Sequence, residues 1–308
     1  MTTHFSTAAR IGAACAVLLC AGCTGGVQAD AYTNTYQMTG RANVQVNARW
    51  GAVRVITNDG NQVKLDIEYD RQEWASALPI ESRQDGNVVT LTARVDEHSW
   101  WGWGTFGDHR LNITIRMPKD ADLRLQTTNG DINVSSLNGQ VSIHTQNGKI
   151  DAEHLLGTID IGSSNGAITL DTLQGVMTVH TTNGSITASR LDGKCEVSTT
   201  NGLVRIEGRF ESLNVTSTNG GVFTRAESGS RMASDWSIET TNGGVDMSVP
   251  KDLAANLDAN TNNGSIKLDL PVTVQGDAGR NAVRGTLNGG GPQLSLRTTN
   301  ASIHIRGI

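Results

Sequence analysis

The chain has 308 residues, 35 of them glycine, with 4% aromatic residues and a formal net charge of −5. A mildly acidic balance without basic clusters excludes an electrostatic footprint for nucleic acid, and the length fits a targeting segment plus one elongated domain. Three of the four cysteines (Cys15, Cys20 and Cys23) stand near the start, which leaves Cys195 alone in the body and excludes a disulfide framework.

Residues 1–22 read as an export signal: Arg10, an apolar run from Ile11 to Leu19, then Cys20-Ala21-Gly22-Cys23. The segment resembles a bacterial lipoprotein signal, with Cys20 where that pattern usually has Leu. The resemblance implies a lipid on Cys23, and Thr24 rather than Asp after it implies sorting to the outer membrane. The alternative is ordinary signal-peptidase cleavage and a free exported chain. Residues 23–35 then form a linker.

Between 36 and 118 the pattern predicts longer alternating strands at Arg49 to Val55, Val63 to Tyr69, Val88 to Val95 and Leu111 to Met117. Turn signals fall at Asn58-Asp59-Gly60 and Gln84-Asp85-Gly86. This reads as an irregular β segment that covers the open end of the region from 119 onward. Inside it, Trp100, Trp101, Trp103 and Phe106 crowd a turn that should be polar. Either these rings cap the domain's end, or they form an exposed aromatic tip for a glycan, a protein or a lipid interface.

From 119 to 308 the chain repeats. Asn-Gly recurs at Asn129, Asn147, Asn165, Asn183, Asn201 and Asn219, each 18 residues after the last, and again at Asn242 and Asn263 after wider gaps. Apolar columns run through Ile132, Ile150, Ile168, Ile186 and Val204, and through Val141, Ile159, Met177, Cys195 and Leu213, with polar residues between. That is the period of a strand with one buried face. A fixed repeat of this length predicts a parallel β-solenoid of two-strand coils, right-handed because parallel crossovers prefer that hand.

Asn-Gly predicts one corner, through the positive φ it readily takes, and Leu-x-Gly (Leu137, Leu155, Leu173, Leu191) predicts the other, with Leu plugging the core. The Asn side chains are expected to form a hydrogen-bonded ladder along the axis. The Thr or Ser two places before each Asn is expected inside, its hydroxyl bonded to backbone or to a copy one coil away. Glu227 to Met232 reads as a surface loop, and Gly276 to Gly291 as a long loop. The final copy, Thr298-Thr299-Asn300-Ala301, lacks its Gly and reads as a terminal cap.

No catalytic or cofactor motif stands out. Asp151, Asp160, Asp246 and Asp258 are scattered and read as a solvated face. The column two after the Asn mixes Asp131 with Lys149, which excludes a calcium stack. His144 and His180 share a column two coils apart with Gly162 between, which reads as too far for one metal. Cys195 in an apolar column reads as a small hydrophobe.

The Thr/Ser-Asn-Gly-x-Ile and Leu-x-Gly pattern, entered through Met117-Pro118-Lys119-Asp120-Ala121-Asp122-Leu123, resembles the bacterial "putative adhesin" family of β-solenoid domains. The closing Gly289-Gly290-Gly291-Pro292 stretch fits it too, so the resemblance spans about residues 40 to 308. It implies the fold and no catalytic residues. The expected function is a non-enzymatic, lipid-anchored envelope module that binds a glycan or an envelope protein. A periplasmic stress or regulatory component and a polysaccharide-processing β-helix are the alternatives.

Overall fold

The computed structural model describes residues 31–69, 80–93, 111–274 and 279–308, and every regular element among them is a strand. Alternating burial in these segments puts one side-chain row inside and one outside, so strands form and then stack to cover the inner row. At the centre lie β11 (Ile150–Ser163), β12 (Ile168–Thr181), β13 (Ile186–Thr199) and β14 (Val204–Ser217). Each pairs parallel with the next, so that Ile150, Ile168, Ile186 and Val204 face one another in turn. All four are buried, as are Ile159, Met177, Cys195 and Leu213 on the opposite side of the coil.

Each of these strands passes round the Leu-x-Gly corner without losing its ladder. The residue before each Leu takes a left-handed backbone: Ser136, His154, Thr172 and Arg190 have φ of 60, 55, 57 and 53°. That conformation resets the alternation. Glu153 and His154 both face out, and Leu155 then turns in. Leu137, Leu155, Leu173 and Leu191 are all buried at this corner. In the next coil the register shifts: Gly208 stands opposite Leu191, and buried Phe210, opposite Gly193, lies edge-to-face with buried Trp236 at 6.2 Å.

The Asn-Gly corner works differently from the expected positive-φ turn. None of its glycines has a left-handed φ; Gly is there because the coils touch. A Cβ on Gly184 would lie 1.9 Å from the Gly166 carbonyl oxygen, and one on Gly166 would lie 1.7 Å from that of Gly148. Several buried hydroxyls beside this corner bond to the same carbonyls: Thr181 donates to Gly166 at 3.3 Å, Thr240 to Gly220 at 3.0 Å and Thr298 to Gly243 at 2.8 Å, whereas Thr127 and Thr145 are buried without the expected bond.

The stack extends into the amino-terminal segment. Strands β2 (Ala42–Trp50) and β3 (Ala52–Asn58) lie parallel on β8 (Ala121–Asn129) and β9 (Ile132–Ser135). They make a coil with Trp50-Gly51 at the Asn-Gly corner. The predicted strand from Arg49 to Val55 is therefore broken there, at Gly51 with φ 114°. Outside this coil, β6 (Val88–Ala93) and β7 (Leu111–Pro118) add another in parallel. Strands β1 (Ala31–Gln37), β4 (Gln62–Tyr69) and β5 (Ile80–Asp85) then run antiparallel along its edges. The segment is thus part of the stack as well as its cover.

At the other end the spatial order departs from the sequence. Strands β22 (Gln293–Thr298) and β23 (Ile303–Gly307) pair with β16 (Trp236–Thr240) and β17 (Val245–Val249). The intervening β18 (Ala255–Thr261) and β19 (Ile266–Asp269) lie beyond them. The copy at Asn300 is therefore an interior layer and not the expected terminal cap. Nor is 276–291 simply a loop: β21 (Ala282–Leu287) runs antiparallel on β18, turning Val283 and Leu287 inward, and β20 (Thr273–Val274) pairs with it. An antiparallel edge hides the open end of the stack.

Asp258 ties three strands of this end together. It accepts hydrogen bonds from Asn260 at 2.6 Å, from Arg284 on β21 at 3.2 Å and from Arg297 on β22 at 3.4 Å. Burial alone would raise its pKa; the bonds from Arg284 and Asn260, the Arg284 charge and the Arg297 bond outweigh burial and hold it below the ordinary value.

Two outcomes are expected. Val197, 1% exposed in the inner row, should not tolerate a carboxylate: Val197→Asp should lose roughly 3–5 kcal/mol in denaturant melts, as an unpaired buried charge does. A depressed carboxylate pKa gives stability that is present above the unfolded value and lost as pH falls through the folded one. Asp258→Asn should therefore cost about 1 kcal/mol at neutral pH. Its melting temperature should converge on that of the wild type as pH drops below about 4.

Candidate binding surfaces and a two-histidine notch

The outward columns carry whatever the molecule shows to a partner. The most regular is the asparagine ladder. Asn147 donates its amide to the Asn129 side-chain oxygen at 2.9 Å, and Asn165, Asn183, Asn201, Asn219 and Asn242 repeat the bond at 2.7 to 2.8 Å. It then follows the spatial order, from Asn300 to Asn242 at 2.7 Å and from Asn263 to Asn300 at 2.8 Å. Every amide points the same way along the axis, and the row is exposed.

One turn of strand before the ladder, a second column holds His144, Gly162 and His180 on successive coils. The expectation that the two histidines lie too far apart is overturned. Their ring centroids are 5.4 Å apart because the His180 ring lies over Gly162, where a Cβ would come within 2.2 Å of it. Asp160, on the Gly162 strand, lies with a carboxylate oxygen 3.4 Å from His144 Nε2. Single donor atoms of the three residues all fall within 4.8 Å of one another. Burial holds the His144 pKa down, against the pull of Asp160 and helped by His180 and Arg124. The rings border a shallow hollow whose rim includes Thr128, Gln146, Ser164 and Thr182. Sequence spacing counted the rungs correctly and missed that a residue without a side chain lets its neighbours close the gap.

The scattered carboxylates are committed to neighbours. Asp151 pairs with Lys149 at 2.8 Å, and Asp246 with Arg306 and, at 3.8 Å, His304. Asp131 accepts the Lys149 backbone N–H at 2.8 Å. Beyond Asp258, clear shifts at Asp66, Asp122, Asp171 and Asp269 are also downward. A general acid needs the opposite displacement. Cys195 is buried, and desolvation followed by the Glu196 charge pushes its thiol up to about 12, which makes it inert.

Cys23 and the aromatic residues Trp100, Trp101, Trp103 and Phe106 lie outside the described residues. In sequence these aromatics fall between β6 and β7; among the described residues, Trp50 is a 43% exposed aromatic ring.

Solved structures similar to this chain share little sequence. A "putative adhesin" from Bacteroides fragilis is 12% identical, with 91% of this chain and 97% of that one covered at a TM-score of 0.42. One from Parabacteroides merdae is 10% identical, covering 89% and 95% at 0.42. A "putative lipid binding protein" from Parabacteroides distasonis is 12% identical, covering 90% and 96% at 0.34. No curated protein matches the sequence. The family described as Toastrack DUF4097 matches residues 43–306, nearly the whole of the stack from β2 to β23. The chain belongs to the Toastrack DUF4097 family.

Proposed function

We propose that this chain is a non-enzymatic cell-envelope lipoprotein, anchored through Cys23 to the outer membrane, whose right-handed solenoid serves as an adhesive or scaffold module. The observation that carries this reading is the in-register stack itself. It repeats Asn, Thr, Ser and Asp side chains at the strand spacing of about 4.8 Å along one rigid axis. A row of identical, pre-ordered polar groups suits many weak simultaneous contacts with a saccharide or an envelope protein, because little entropy is lost on binding. Paired, low-pKa carboxylates and an inert thiol argue in the same direction, away from polysaccharide hydrolysis. The aromatic residues at 100–106 are the second contact in this reading.

Two measurements test it. Cys23→Ser should abolish incorporation of labelled fatty acid into the protein; equal labelling of the variant, or no labelling of the wild type, defeats the lipid anchor. Replacing Trp100, Trp101 and Trp103 together by Ser should reduce capture of envelope glycan or protein while leaving the melting temperature unchanged. A fall in stability with capture intact makes these rings structural. Protease treatment of intact cells separates the two locations: cleavage supports adhesion, and protection favours a periplasmic partner.

A further inference from the structure

We infer that His144, Asp160 and His180 form a site for one divalent transition-metal ion of the zinc class, seated over Gly162. The inference rests on the geometry of the notch and goes beyond the binding role proposed above. Adjacent strands lie about 4.8 Å apart, so histidines two coils apart start with backbones nearly 10 Å from each other. Two imidazoles can meet from that distance only if a ring crosses the coil between them, and the His180 ring lies over Gly162. The middle coil supplies the room: Gly162 stands one residue before the end of β11, and Gly in a strand commonly marks a close approach. In the same column the neighbouring coils carry Gln126, Ser198 and Thr216. The one glycine falls between the two histidines.

The third donor comes from strand periodicity. Asp160 is two residues before Gly162, hence on the same outward face and one position along, and it reaches His144. Two imidazoles and one carboxylate are a donor set suited to zinc and its neighbours, and unsuited to calcium or magnesium, which take oxygen. The His144 nitrogen that faces Asp160 is Nε2, at 3.4 Å. Donor atoms within 4.8 Å of one another need only side-chain rotations to reach the spacing of a tetrahedral ion, where bonds are about 2 Å. The open side faces the polar hollow, which leaves a fourth position for water or a partner's side chain.

Titration calorimetry of metal-stripped full chain with Zn²⁺, with Mg²⁺ and Ca²⁺ as controls, tests this. The expected result is one Zn²⁺ bound at this site and no comparable heat from the hard ions. His144→Ala and His180→Ala should each weaken that binding by about tenfold or more. Gly162→Val keeps all three donors and should weaken it as much, because its side chain displaces the His180 ring. His180 is exposed, so His180→Ala keeps the fold, which its melting curve checks. On the unaltered chain, Zn²⁺ should shift the imidazole nitrogen resonances of His144 and His180 together. Absence of Zn²⁺ binding by the wild type, or equal affinity and stoichiometry in His180→Ala, overturns the site.

Discussion

Parallel strands in exact eighteen-residue register place each side chain directly over its own copy one coil away. That constraint acts on every column separately. An inner column must carry no charge, because a single charge there would be enclosed by its own repeats. A corner residue must tolerate the carbonyl of the coil beneath, which at positions such as Gly166 and Gly184 leaves no room for a Cβ. An outer polar column can satisfy itself, as the asparagines do by donating to the previous amide. Amide chains of this kind polarise one another, so the ladder also stiffens the corner it lines.

The constraint also explains the notch. Because columns are enforced, removing one side chain opens a gap bounded by the same position above and below. Gly162 does this between two histidines, and the His180 ring fills the space. Elsewhere on the outer face, opposite charges meet in the same way across adjacent coils or along one strand, as at Arg225 with Glu207 and Lys149 with Asp151. Such exposed pairs contribute little stability. They set the surface character, which is polar and nearly neutral.

Much of the fold was legible because the repeat states each rule many times. The inner columns, the Leu plugs and the inward Thr and Ser could be placed from residue identity and phase alone. Three features could not. The left-handed residues before each Leu are Ser, His, Thr and Arg, which share no propensity for that backbone; the corner's packing imposes it. The coil at β2 and β3 was hidden because its corner reads Trp50-Gly51 and its neighbour in space comes from residues 88–118. The convergence of His144 with His180 depends on side-chain direction, which column counting does not contain. At the Asn-Gly corners the residue type was legible and its cause was not: contact between coils selects Gly there, where conformational freedom was expected to.

The layer built by β22 and β23 lies between strands that precede it by about forty to sixty residues. As the polypeptide emerges during synthesis, β18 and β19 thus come into being before the surface they must rest on exists. They can only wait, or pair temporarily with β16 and β17 and then give way. Growth of the stack is sequential through its middle and becomes an insertion event at this extremity. The final closure is therefore a checkpoint: a molecule presents its finished extremity only after a late-arriving segment has threaded into place.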